Sequence, residues 1–107
     1  MTNFISTGST YWLSDEEIQI LEKNATNGDK NSAFKLYQYH MFVSIDQDLE
    51  FKWLEIAAKN GHPIAQSNLA DLFFTQGNKE KAIFWAKKAY RNGAKLPDEL
   101  KILININ

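Results

Sequence analysis

The chain has 107 residues, of which 44% are hydrophobic and 13% aromatic, and its formal net charge is −1. This composition indicates one folded domain with a single core, and it excludes a disordered chain. Because the sequence contains no cysteine, it also excludes disulfides, thiolate nucleophiles and thiolate metal sites.

The charges are unevenly divided along the chain. Residues 1–55 hold nine acidic and four basic side chains, a net charge of −5, whereas residues 56–107 hold four acidic and eight basic ones, a net charge of +4. Two outcomes stay open: an elongated fold that is electrically polar along its length, or a surface on which folding mixes the charges.

Residues 1–13 form a polar leader without a basic side chain or an apolar run of the kind that a signal peptide requires. No later segment is long and apolar enough to predict a membrane span. We therefore expect a cytoplasmic protein that does not associate with membranes.

Start and stop signals predict six helices. Ser14 with Glu17 forms a capping-box pattern and Leu13 with Ile18 a hydrophobic staple, which together predict a helix from residue 15. Apolar residues at helical spacing predict the rest. The predicted helices cover residues 15–26, 31–43, 47–59, 63–75, 79–92 and 97–104, all within one domain over residues 14–107. Isoleucines alternate with other residues from Ile102, which leaves open whether the end is helical or extended.

The same stop signal occurs three times. Gly28, Gly61 and Gly93 each follow an asparagine, at spacings of 61 − 28 = 33 and 93 − 61 = 32 residues. A period of this length is typical of antiparallel helix pairs stacked in a row. The sequence therefore predicts an all-α fold, a short right-handed α-solenoid of antiparallel helix pairs with about six helices.

The stretch from residue 46 to residue 70 resembles the SEL-one-like repeat of the tetratricopeptide-repeat superfamily. The residues that match the family pattern are Asp46, Trp53, Ala57, Ala58, Gly61, Ala65, Gln66, Leu69 and Ala70. The next unit repeats it with Gly77, Ala82, Trp85, Ala86, Ala89 and Gly93, and residues 15–43 follow it more weakly through Ala25, Gly28, Ser32 and Leu36. Tyr37 and Glu50 depart from the pattern, since they stand where the family has glycine and alanine.

The resemblance implies a concave surface that holds a peptide or a folded partner. Carried over by register, the partner-binding residues are Asn31, Phe34, Gln38 and Met41 on the second helix and Ser67, Asp71 and Phe74 on the fourth. The alternative is that Phe34, Met41 and Phe74 belong to the core.

No pattern indicates catalysis. The sequence has no glycine-rich phosphate loop, nucleophile elbow or paired His and Asp motif, and its two histidines, His40 and His62, fall on different helical units. His40 is expected to be a packed, hydrogen-bonded core residue. Asp46, Asp48 and Glu50 alternate like a calcium loop, but Phe51 occupies the position that requires glycine. We expect no enzyme activity, no metal and no cofactor.

The fifth helix has a basic surface formed by Lys79, Lys81, Lys87, Lys88, Arg91 and Lys95. With Phe84 nearby, this surface has residues that nucleic-acid binding uses. Lysine and arginine near a helix end also complement its dipole, and a near-neutral chain lacks the excess charge that phosphates require. Nucleic-acid binding is therefore the less favoured alternative.

The resemblance favours non-catalytic protein binding by a monomer or weak homodimer. One hypothesis is a bacterial immunity protein that neutralises a cognate toxin. It is based on the short chain, the missing export signal, the absence of a fused domain and the excess of lysine over arginine. The alternative is an adaptor or assembly scaffold, as longer members of the family are.

Overall fold

The computed structural model describes residues 10–106. Between Asp15 and Leu103 this part of the chain contains six α-helices and no β-strand, so the predicted all-α class is confirmed there. The helices are α1 (Asp15–Thr26), α2 (Lys30–Phe42), α3 (Gln47–Lys59), α4 (Pro63–Thr75), α5 (Lys79–Arg91) and α6 (Asp98–Leu103). Their ends differ by at most one residue from those that the sequence predicts. Residues 1–9 of the leader lie outside the described range.

Side-chain caps start the helices at these positions. Ser14 and Glu17 form the capping box of α1, with Glu17 N–H donating to Ser14 Oγ and Ser14 N–H donating to Glu17 Oε1. Asp29, Asp46 and Asn78 accept N–H bonds at the starts of α2, α3 and α5 in the same way. Each cap satisfies a donor that the first helical turn leaves unpaired, which accounts for the agreement with the predicted boundaries.

Each helix packs mainly against its neighbours in sequence. The radius of gyration is 15.0 Å, against about 13 Å for a compact chain of this length. The principal extents are 50 × 31 × 24 Å, so the molecule is elongated. This shape follows from packing that is local in sequence.

The burial pattern of α2 returns in α4. Buried residues of α2 are followed, 33 positions later, by buried residues of α4: the pairs are Ser32 and Ala65, Ala33 and Gln66, Leu36 and Leu69, Tyr37 and Ala70, and His40 and Phe73. In α3 and α5 the corresponding offset is 32, with Trp53 and Trp85, Leu54 and Ala86, and Ala57 and Ala89 all buried. The two stretches of chain therefore use the same faces for the core.

The core consists largely of alanines beside two indoles. Trp53 and Trp85 are 2% and 9% exposed. Nine alanines have no exposed surface: Ala25, Ala33, Ala57, Ala58, Ala65, Ala70, Ala82, Ala86 and Ala89. A methyl side chain lets two helix backbones approach closely, and the indoles fill the space that remains between them.

A buried amide joins three helices. Gln66 on α4 is 2% exposed, and its Nε2 donates to the carbonyl oxygen of Ala58 near the end of α3 at 3.0 Å. Its Oε1 accepts from Nδ2 of Asn92, directly after α5, at 2.9 Å. The Ala58 carbonyl oxygen also accepts the N–H of Gly61 at 3.0 Å, so the contact from Gln66 is a second hydrogen bond at the end of α3.

After α6, residues 104–106 form a turn. The sequence alone did not decide between a helical and an extended conformation for this segment. Asn105 has a φ of 62°, and the N–H of Ile106 donates to the carbonyl oxygen of Lys101 at 2.8 Å. Asparagine tolerates this left-handed conformation better than most residues, which explains why α6 stops here. The turn returns Ile104 to the core, where it is 9% exposed.

Replacing Gln66 by leucine tests the buried amide. Gln66→Leu removes the hydrogen bonds of Gln66 to Ala58 O and Asn92 Nδ2, although Ala58 O keeps the N–H of Gly61. At about 0.5–1.5 kcal/mol for each bond lost, we expect the free energy of unfolding to fall by about 1–3 kcal/mol. Urea unfolding followed by circular dichroism measures this. The exposed residue Gln47, changed to leucine, is the matched control and is expected to stay within about 0.5 kcal/mol. Equal losses in the two variants would contradict the assigned role of Gln66.

Candidate protein-binding surface

Side chains of α2 contact α4, or the residue that caps it, at two points. The Phe34 ring on α2 stacks on the His62 imidazole at the start of α4, with centroids 4.1 Å apart and planes 15° from parallel. Asn68 Nδ2 on α4 donates to the Tyr37 hydroxyl on α2 at 3.3 Å. These contacts join the two helices. We call the side of α2 and α4 that carries Phe34, Tyr37, His62 and Asn68 the α2–α4 surface.

The seven residues predicted to bind a partner differ in exposure. Asn31 and Asp71 are exposed, and Gln38 is half-buried. The half-buried residues Phe34, Met41 and Phe74 pack against the core cluster, and Ser67 is only 8% exposed. Each of the three apolar residues therefore contributes to the core and keeps part of its side chain accessible, and their binding to a partner stays a prediction.

The described residues of the leader, 10–13, lie beside α2. Tyr11 stacks on Phe42 at the end of α2, with ring centroids 4.5 Å apart. Gln38 and Lys35 line a shallow cavity together with Thr10, Tyr11 and Leu13. Two aromatic residues of α2 thus stack on rings outside this helix, Phe42 on Tyr11 and Phe34 on His62.

The residues that depart from the family pattern line a cavity between α2, α3 and α4. Tyr37 and Glu50 border it together with Asn68 and Asp71, and its volume is about 310 Å³. Burial raises the pKa of the Tyr37 hydroxyl, the hydrogen bond from Asn68 opposes this rise, and the charge of Glu50 adds to it. The phenol therefore stays neutral and serves as a hydrogen-bonding group at the edge of the surface.

A larger cleft of about 640 Å³ lies between the start of α4 and the connection that leads into α6. We call it the α4–α6 cleft. Its lining residues are His62, Pro63, Ile64, Ser67 and Asn68 on one side and Gly93, Ala94, Lys95, Leu96 and Pro97 on the other. Of these lining residues, only Ser67 is among the seven residues that the sequence predicts to bind a partner. The predicted helix ends give no signal for the cleft, because they leave only residues 93–96 between the fifth and sixth helices, whereas the connection in the structure covers residues 92–97.

The two histidines are both held as neutral rings. His62 Nδ1 accepts the N–H of Ala65 as the cap of α4, and burial, followed by the charge of Lys30, lowers the pKa of the ring. His40 is 6% exposed, its Nδ1 lies 2.7 Å from Ser44 Oγ, and burial lowers its pKa, although Asp46 and Glu22 oppose the change. The expectation that His40 is packed and hydrogen-bonded is confirmed.

Within residues 10–106 no three His, Asp or Glu side chains come together in a way that could hold a metal ion. None of the helices in the same part of the chain combines the length and apolar character that crossing a bilayer demands. The outer face of α5 is basic as predicted, but Lys88 Nζ lies over the Phe84 ring, 5.3 Å from its centroid, and Trp85 meets that ring edge-on.

Comparison with known proteins gives one informative relative. The chain is 35% identical over 95 residues to the uncharacterized protein YibG of Escherichia coli (strain K12). The match covers 82% of this chain and 62% of YibG, so the chain spans less than two thirds of the length of this relative. No family model matches the chain, and no solved structure gives a significant match.

The lowered pKa values of His40 and His62 predict a loss of stability in mild acid. Folding favours the neutral rings, so their contribution is complete above the ordinary value of 6.5 and is lost as the pH falls through the lower folded-state values. We expect the free energy of unfolding to be smaller at about pH 5.5 than at about pH 7.5. Chemical denaturation at the two pH values measures this.

A double variant provides the control. His40→Phe places the ring of the equivalent residue, Phe73, at this position, and His62→Asn keeps a capping side chain without a titratable group. The carboxyl groups of Glu17 and Asp29 have pKa values lowered by hydrogen bonds from Ser14 and Ser32, so they stay ionised over this pH range. The same acid-induced loss in the double variant would exclude the histidines as its cause.

Proposed function

We propose that this chain is a short right-handed α-solenoid of SEL-one-like helix pairs that binds a protein partner without catalysis. Three observations support the solenoid: packing between helices that are neighbours in sequence, the elongated shape, and buried faces that recur after 33 and 32 residues. Stacked helix pairs of this kind expose an extended surface on one side, which is the surface they use for binding.

Protein binding is supported above all by two contacts between α2 and α4: the stacking of Phe34 on His62, and the hydrogen bond from Asn68 to Tyr37. It brings residues from two helix pairs onto one surface that offers carboxylate, amide and partly exposed aromatic groups. Aromatic side chains in half-buried positions are typical anchors of protein interfaces, and polar groups around them provide specificity.

Within protein binding, we favour a cytoplasmic immunity protein that neutralises a toxin. This choice rests on the excess of lysine over arginine, which is typical of a bacterial protein from an AT-rich genome, and the α2–α4 surface is the place where the toxin would bind. A scaffold is the second candidate, because large apolar side chains are also exposed outside this surface, with Ile20 on α1 at 59% and Ile102 on α6 at 74%. Such residues would let the chain bind more than one protein.

Nucleic-acid binding is less well supported. On the basic face of α5, Phe84 already has Lys88 over its ring and Trp85 against it. Stacking on a base needs an accessible ring face, so these contacts leave less of the ring available.

Charge changes on the α2–α4 surface test the binding site. The tagged chain is used to isolate a partner, and the dissociation constant of the purified pair is then measured by calorimetry. Asn31→Arg and Asp71→Arg add cations at exposed positions and are expected to weaken binding at least about tenfold without loss of helical content. Gln19→Arg, at an exposed position on α1, is the matched control and is expected to bind normally. Full affinity in both surface variants would contradict the assigned surface.

Growth rescue tests the immunity hypothesis. A toxin gene adjacent to the gene for this chain is expressed in a sensitive bacterial host, with and without the chain. We expect the wild-type chain to restore growth and Asp71→Arg to restore it less, because the toxin must be held on the α2–α4 surface to be neutralised. A toxin that kills equally in the presence of the wild-type chain would rule out this role and leave the scaffold.

A further inference from the structure

The α4–α6 cleft has an apolar floor that is open to a partner. Pro63 and Ile64 form one side, and Leu96 and Pro97 form the other. Ile64 is 55% exposed, whereas Leu96 is 6% exposed and belongs to the core. A side chain that enters here would therefore contact a well-anchored apolar wall on one side and cover an exposed isoleucine on the other, which favours an aliphatic or aromatic group.

Unpaired polar groups lie along the same cleft. Because His62 Nδ1 accepts the N–H of Ala65, the neutral ring carries its proton on Nε2, which is a donor. Asn68 uses its Nδ2 for Tyr37, so its Oδ1 remains an acceptor. Neither of these atoms, nor the Ser67 hydroxyl, hydrogen-bonds to another residue in the range 10–106. The cleft thus offers donors and acceptors together, as recognition of a peptide backbone requires.

The opposite wall is a stretch of main chain without secondary structure. The N–H of Ala94 donates to the carbonyl oxygen of Ala89, and the carbonyl oxygen of Pro97 accepts from Leu100 and Lys101. Between these points, the N–H groups of Lys95 and Leu96 make no hydrogen bond to any part of the chain that the structure describes. Because the N–H groups of adjacent residues in an extended segment point to opposite sides, one partner backbone can pair with only one of the two. Lys95 is exposed and Leu96 is buried, which favours pairing at Lys95.

The charged side chain among the described lining residues of the cleft is a cation, and Asp98, which directly follows this lining, pairs with Lys101 at 3.9 Å. Lys95 lines it, Lys30 is close enough to influence His62, and no carboxylate is among its lining residues. Residues 56–107 carry a net charge of +4. An acidic partner segment would therefore be attracted to this end of the molecule and held near Lys95.

We propose that the α4–α6 cleft binds an extended, acidic segment of the partner protein, which pairs through its backbone with Lys95. An apolar side chain of the segment packs against Pro63, Ile64 and Leu96, and a neighbouring carboxylate faces the Lys95 ammonium group. A helical segment does not fit this arrangement, because its own backbone N–H and C=O groups are already paired. The inference rests on the proposed protein-binding function and names the kind of segment that is recognised.

Synthetic peptides and nuclear magnetic resonance test the inference on the full chain. The probes are short acetylated peptides from an array with three compositions: acidic with apolar residues, basic with apolar residues, and acidic with apolar residues on an N-methylated backbone. The best binder of each kind is titrated into the ¹⁵N-labelled chain. We expect the acidic peptides to bind at least about tenfold more tightly than the other two kinds, and to shift the amide signals of Lys95 and Leu96.

Two pairs of exposed residues supply matched variants. Lys95→Glu and Ile64→Ser are expected to weaken binding of the acidic peptide about tenfold. Lys79→Glu on α5 and Ile20→Ser on α1 make the same changes away from the cleft, and they are expected to leave the affinity unchanged. Equal weakening by both members of a pair would overturn the inference.

Other results would overturn the inference in distinguishable ways. Equal binding of N-methylated peptides would exclude backbone pairing, and shifts at Lys95 caused by oligothymidylate but by no peptide would reassign the cleft to nucleic acid. Peptide-induced shifts confined to Asn31, Gln38 and Asp71 would remove the cleft and leave the α2–α4 surface as the binding site. If no peptide shifts any signal, the inference fails, whereas the proposed function is judged separately by the capture of a partner and the Asn31→Arg and Asp71→Arg variants.

Discussion

The close approach of helix backbones at alanine residues is the constraint on which the rest of the structure depends. Nine alanines without exposed surface lie where helices meet, and Trp53 and Trp85 fill the spaces between them. A larger side chain at such a position would force the backbones apart, because cores are packed as densely as organic crystals. The small residues therefore determine both the distance between helices and the direction in which the remaining side chains point.

Alanine contacts alone would permit neighbouring helices to slide along each other, and three specific side-chain contacts, two of them hydrogen-bonded, oppose this. Gln66 ties the end of α3 and the residue after α5 to one position on α4. Asn68 and Tyr37 connect α2 and α4 at a second position, and Phe34 and His62 at a third. Directional bonds of this kind contribute little net stability each, but a displaced helix would leave buried groups unpaired, so they select one alignment.

The sequence was sufficient to predict the helices and most of the core. Capping residues such as Ser14 and Asp46 act on the turn that they begin, and the helical spacing of Ala57, Leu69 and Trp85 indicates the buried faces directly. The α4–α6 cleft could not be predicted in this way, because it depends on the path of residues 92–97 and on their approach to α4. Nor could the stacking of Phe34 on His62, since these residues are far apart in the sequence and no local rule relates them.

The uneven distribution of charge along the sequence can affect binding because the fold is elongated and keeps the two halves apart. Side chains of residues 1–55 and 56–107 differ by nine units of charge, from −5 to +4, and the molecule is 50 Å long. The screening length at physiological ionic strength is about 8 Å, so a partner that approaches one end is little affected by the charges at the other. A chain with a net charge near zero can therefore attract an acidic segment to its second half.

Because helices that follow each other in sequence also follow each other in space, the uneven composition of the sequence becomes an uneven surface on the fold. A globular arrangement of the same helices, in which α1 and α5 were neighbours, would cancel much of this difference.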